Sequence, residues 1–178
     1  ARCRAEGINV IAGASSDVKC SFSRDLGAEH TINYGSVTVA DRVMEITDGR
    51  GVDLVLDQLV GPDFSDNLRM LAPFGMILSF NALAGLPEKE LFAEMRAHLG
   101  KSPAVRCFSW HSYDANPEAR GRVLEEVISR FAAGELTPRV HAKMPLSEAR
   151  KAHEILDSRN FCGKIVLKPG AYKFQLTQ

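Results

Sequence analysis

The sequence predicts an α/β protein built on a mostly parallel, doubly wound sheet with helices on both faces. Three observations lead there. Short apolar runs alternate with capped, amphipathic stretches along nearly the whole chain. The runs at 52–57 and 76–80 are apolar on most consecutive positions, as strands covered on both faces should be. The connections are short, with no repeat, low-complexity tract or linker between them.

Ala1 to Glu6 reads as the end of a helix, with Gly7 as its left-handed cap. A strand is expected at 9–12 and a helix from Asp17 to Leu26, stopped by Gly27. Thr31-Ile32-Asn33 is a short strand. Ala40 to Thr47 places Val43, Met44 and Ile46 on one side and ends at Gly49. After the strand at 52–57, Phe64, Leu68 and Leu71 recur at helical spacing, so 62–71 reads as a helix. Beyond the strand at 76–80, Pro87 is expected to open a helix with Leu91, Phe92, Met95 and Leu99 on one face. A strand follows at 104–108. Asn116-Pro117-Glu118 is a cap, a first-turn proline and a first-turn acid, starting a helix that Gly134 stops. Its Val123, Val127, Ile128 and Phe131 are expected to face inward. Ser147 is expected to cap a last helix bearing Ala149, Ala152, His153 and Leu156 on one side. The closing strand is 164–167, and the tail after Pro169 reads as surface.

The 178 residues suffice for one domain with a real core. Apolar residues make up 45% and charged residues 25%, with a formal net charge of zero. That balance offers no basic stripe for nucleic acid, and no apolar run approaches a membrane span. The short charged start does not read as a signal peptide. Cys3, Cys20, Cys107 and Cys162 are scattered without a C-x-x-C pair. This argues against a zinc site or a disulfide framework and fits a reducing cytoplasm. His30, His98, His111, His141 and His153 form no pattern for a metal or a catalytic triad, and no catalytic residue is assigned within the chain.

In a doubly wound sheet an acid at the end of the second strand accepts from the ribose 2′-hydroxyl of NAD and repels the 2′-phosphate of NADP. Ala14 occupies that place, followed by Ser15, Ser16 and, one turn later, Lys19. Two hydroxyls, helix-start N–H groups and an ammonium would cradle a phosphate dianion. Asp17 puts a negative charge nearby. From these residues alone, a serine cap and a solvated lysine is the plainer reading.

The order of Leu26-Gly27-Ala28-Glu29-His30-Thr31-Ile32-Asn33-Tyr34, then Gly49-Arg50-Gly51-Val52-Asp53-Leu54-Val55-Leu56-Asp57, resembles the Rossmann-like cofactor domain of the medium-chain dehydrogenase/reductases. Within them the chain is most similar to the zinc-free, NADPH-dependent quinone oxidoreductases of the zeta-crystallin group. The resemblance raises the phosphate reading of Ser15, Ser16 and Lys19 above the plainer one. It implies that Tyr34 lies beside the adenine end of NADPH. It implies that the backbone at Phe80-Asn81 runs near the nicotinamide ribose, that Phe108-Ser109 meets the carboxamide, and that Arg159 reaches the cofactor. Asn81 stands where relatives carry glycine, so its side chain is expected to intrude there. Leu59, in Gln58-Leu59-Val60-Gly61, is bulkier than the small-residue turn of relatives.

The implied activity is hydride transfer from NADPH to a quinone or enone, by a protein that is a homodimer when intact. The alternatives are an enoyl-thioester reductase of the same superfamily and a non-catalytic, crystallin-like nucleotide-binding module. In relatives the glycine-rich turn and the first strand precede the segment ending at Gly7. Residues 1–178 are therefore expected to be a partial nucleotide-binding domain, without the N-terminal substrate domain and inactive alone.

Overall fold

Strands and helices do alternate, and every strand pair is parallel. The structure, a computed structural model, describes Cys3, residues 6–62 and residues 64–170. The strands are β1 (Ile11–Ala14), β2 (His30–Asn33), β3 (Val52–Asp57), β4 (Leu71–Ser79), β5 (Ala104–Cys107), β6 (Val140–Pro145) and β7 (Lys164–Lys168). The helices are α1 (Asp17–Asp25), α2 (Val39–Ile46), α3 (Asp66–Arg69), α4 (Leu91–Ala97), α5 (Pro117–Ala132) and α6 (Ala149–Ser158). β1 pairs with β2, β4 lies between β3 and β5, and β6 pairs with β7. Among the described residues, β1 and β3 each have one edge without a strand beside it.

Gly7 caps as expected, at φ +69, with the Ile8 N–H donating to Cys3 O at 2.8 Å. Ala1, Arg2, Arg4 and Ala5 of that segment, and the tail from Ala171, lie outside the described residues. Arg130 of α5 pairs with Glu6 at 2.7 Å and ties the two segments together.

Among the described residues, two linked clusters make up most of the core. Ile32, Ala40, Val43 and Met70 form one, and Phe64, Leu68, Leu71 and Ile77 form the other. Val55 packs against both. Gly51 lets them close up: at φ +84, a Cβ there would sit 2.7 Å from the backbone of Met70 and Leu71.

Several expectations need correction. Phe64, Leu68 and Leu71 are all buried, but only the single turn α3 is helical. Leu71 instead opens β4 opposite Val52. α4 starts at Leu91, not Pro87, because the Glu90 carboxylate caps it, accepting from Phe92 N at 3.1 Å and Ala93 N at 2.6 Å. Leu91 and Met95 pack on the core, whereas Phe92 and Leu99 are exposed. α5 begins at the expected cap, with Asn116 Oδ1 accepting from Ala119 N at 3.0 Å. Its stripe is not inward: Val127, Ile128 and Phe131 are exposed. Ser147 sits in a 3-10 turn, and Glu148 precedes α6. β7 does not close the main sheet but pairs with β6, a strand the sequence did not announce. In β6 only Met144 is buried, so no covered apolar run marks it.

Candidate nucleotide-binding site

In open parallel sheets a ligand lies across the carboxyl ends of the strands. At the end of β1 the chain passes through Ser15 and Ser16 into α1. Ser16 is extended, and its Oγ accepts from Lys19 N at 3.4 Å, so the capping role is real. Capping leaves Ser15 and Lys19 beside each other, Lys19 Nζ donating to Ser15 Oγ at 3.2 Å. β2 delivers Tyr34 to the same place, its N–H donating to Ala14 O at 3.0 Å. The Tyr34 ring is half-exposed and lies over Gly13, Cδ1 being 3.7 Å from where a Cβ would stand. Ser15, Ser16, Lys19 and Tyr34 are therefore one group.

Asp17 is less of an obstacle than its charge suggests. Its carboxylate accepts from Asn33 Nδ2 at 2.8 Å, and Asn33 Oδ1 in turn accepts from Gly35 N at 3.1 Å. Among the described residues Lys19 has no carboxylate partner, so its ammonium stays available to an anion.

The second group stands at the carboxyl ends of β4 and β5. The register Met76↔Ala104 to Ser79↔Cys107 continues one step, with Phe108 N donating to Ser79 O at 2.8 Å. Phe80 and Phe108 thus follow the paired strand ends side by side, and both are partly exposed. Ser109 Oγ is spent on a cap, accepting from His111 N at 3.2 Å. Asn81 folds its side chain back, Oδ1 accepting from Ala82 N at 2.9 Å. Among the described residues the left-handed positions of this edge are Val60, Gly61 and Gly85, so the turn makes no such demand on Asn81.

Arg159 is placed differently. It is the left-handed cap of α6, at φ +53, and belongs to the β6–α6–β7 unit rather than to either of the other strand groups. Asp57 and Asn33 carry site geometry that sequence reasoning did not assign. Asp57 has one visible signal, an acid closing an apolar strand before a turn. Among the described residues no three His, Cys, Asp or Glu side chains gather as a metal site, and no helix is long and apolar enough to cross a membrane.

Parallel strands joined by helices, with polar groups gathered at the strand ends, make the arrangement in which open α/β sheets bind nucleotides. Residues 26–167 match the zinc-binding dehydrogenase family, and the chain belongs to it. This is the superfamily that the Leu-Gly-Ala and Ile-Asn-Tyr spacing implied. The chain is 33% identical to a 2-haloacrylate reductase from a Burkholderia species, covering 93% of this chain and 49% of that protein. It is 30% identical to a quinone oxidoreductase from Pseudomonas aeruginosa, covering 93% and 50%. The structure superposes on Escherichia coli quinone oxidoreductase complexed with NADPH at a TM-score of 0.85, with 28% identity, over 94% of this chain and 52% of that one. The chain spans about half the length of the curated relatives it matches.

Proposed function

We propose that this chain is the cofactor-binding part of an NADPH-dependent reductase acting on a quinone or another activated alkene. One observation carries the choice of cofactor: Ala14 stands where an NAD-selecting acid would, and Ser15, Ser16 and Lys19 converge beside it. Bound NADPH supplies the hydride. The residues described here hold and orient it. Lys19 and the two serine hydroxyls take the 2′-phosphate, and Tyr34 covers the adenine end. The backbone after Phe80 and Phe108 borders the nicotinamide, with Arg159 contributing a cation from the β6–β7 unit. The two phenylalanine rings offer a flat acceptor an apolar surface, which supports a quinone.

No residue here is given the proton transfer, which water or a substrate-domain group supplies. The unaccompanied edges of β1 and β3 support a strand from outside residues 1–178 between them. Such a strand would bring the glycine-rich turn for the pyrophosphate. Residues 1–178 are then a partial nucleotide-binding domain, inactive alone, in a cytoplasmic homodimer. The test is NADPH consumption by the intact protein with a naphthoquinone and with an acyclic activated alkene. Turnover with either supports the reading. NADPH binding without reduction of any such acceptor points to a non-catalytic module, and absence of NADPH binding ends the proposal.

A further inference from the structure

Asp57 is the buried charged side chain among the described residues, 8% exposed, and none of the chemistry above uses it. Three donors converge on its carboxylate. Oδ1 accepts from Leu59 N at 2.7 Å and Val60 N at 3.1 Å, and Oδ2 accepts from Asn67 Nδ2 at 2.9 Å. Asn67 lies on α3 next to Leu68, whose side chain is fully buried. The carboxylate thus fastens the turn after β3 to the core.

That turn resists its own conformation. Val60 and Gly61 are both left-handed, at φ +58 and +80, and a β-branched residue enters that region at a steric cost. Two charge-assisted bonds, donated by the Leu59 and Val60 N–H groups to one carboxylate oxygen, hold it there. The turn is also joined to the loop after β4 by three backbone bonds. Leu83 N donates to Gln58 O at 3.2 Å, Ala84 N to Leu59 O at 2.9 Å, and Gly61 N to Gly85 O at 3.0 Å. The fit is close: a Cβ on Gly61 would stand 3.2 Å from Ala84 Cβ. Residues 58–61 and 82–85 therefore form one wall, continuous with Phe80 and Asn81, over the carboxyl ends of β3 and β4.

We propose that Asp57 is the positioning residue of the nicotinamide nucleotide site: through Leu59, Val60 and Asn67 it sets the wall made by 58–61 and 82–85. The inference rests on the cofactor reading above. Asp57 acts through the wall and not by contact with the nucleotide. A neutral residue that left one donor unmet would give a half-satisfied buried network, which is costly and loose.

The test is a swap in the intact protein, reading the Kd for NADPH and the Tm without cofactor. Asn67→Asp sets two carboxylates against each other, loosens the wall and should weaken NADPH about tenfold, the size of coupling that residues without ligand contact can carry. Asp57→Asn should weaken it by a smaller factor. The double variant Asp57→Asn/Asn67→Asp exchanges donor and acceptor across the same contact and should return the Kd to within about threefold of the starting value. Should Asn67→Asp fail to fold, Asp57→Asn and the double variant carry the comparison. Single variants that lower Tm and leave the Kd within about twofold would show a purely structural role and overturn the proposal. So would a double variant that regains Tm but not affinity. If the unmodified protein binds no NADPH, the cofactor reading itself fails before any variant is compared.

Discussion

The two faces of the β3–β5 strands end in opposite states. On one, Val55, Ile77 and Val105 meet Phe64, Leu68 and Leu71, and the core closes. On the other, Leu54 and Leu56 alternate with them along β3 and remain 46% and 60% exposed. α5 repeats the second situation, with Val127, Ile128 and Phe131 open. The apolar residues are of the same kind on both faces; only the covered face has α3 and α4 from this chain laid over it. Apolar patterning therefore records that a surface is meant to be buried, while the cover can come from outside the described residues.

The contrast can be broken most forcefully at its leucines. Leu68→Ala should cost the 178-residue chain about 2–5 kcal/mol, as truncations in a filled core do. Leu56→Ala in the same chain should change its stability by less than about 0.5 kcal/mol. In the intact protein Leu56→Ala should cost about 2 kcal/mol or more if an element from outside residues 1–178 packs over that face. Denaturant melts of both forms decide the matter, and equal losses at the two leucines would erase the difference between the faces.

A smaller effect sharpens the separation of the β6–β7 unit. Arg159→Ala should weaken NADPH in the intact protein by about 1–3 kcal/mol, the range of a charge-assisted bond. The Tm without cofactor should barely move. A large fall in that Tm with unchanged affinity would assign Arg159 a role in holding the unit together instead.

The smallest effect is expected at the start of β3. Arg50 Nη2 meets Asp53 Oδ1 at 2.5 Å, and this hydrogen bond holds the Asp53 carboxyl below its ordinary range. Arg50→Ala should let it rise to the ordinary carboxylate value, read by NMR titration. A depressed carboxylate contributes stability above its ordinary pKa and loses it as pH falls through the depressed one. Any contribution from this pair should therefore be present at neutral pH and fade in acid. Both side chains are largely exposed, so water and salt screen the pair and the Tm at neutral pH should hardly change. An unmoved Asp53 titration in the variant would mean that the bond is not formed in solution.

The same physics decides what the sequence disclosed. β3 and the second half of β4 are legible because runs of apolar residues have few alternatives to a covered strand. β6 is not, because His141 and Lys143 interrupt it and only Met144 is buried. The spacing of Phe64, Leu68 and Leu71 correctly signals burial but overstates the helix. Leu71 is claimed by pairing opposite Val52, a contact that depends on Gly51 and is invisible to local periodicity. At the site, Ser15, Ser16 and Lys19 are neighbours in sequence, and their grouping could be read directly. The Asn33–Asp17 contact could not, since it exists only because β1 and β2 pair with Ala14 opposite Asn33. Around Asp57 the Leu59 and Val60 N–H donors are local, whereas Asn67 was hidden because it arrives from α3.

The choice of cofactor turns on the 2′-phosphate. Titrating the intact protein with NADPH and NADH, before and after Ala14→Asp, tests it most directly. The unmodified protein should bind NADPH at least about tenfold more tightly, a difference of one charge-assisted contact. Ala14→Asp should reverse the order by repelling the phosphate and offering the 2′-hydroxyl an acceptor. Equal affinities in the unmodified protein, or a preference for NADPH that survives the aspartate, would contradict it.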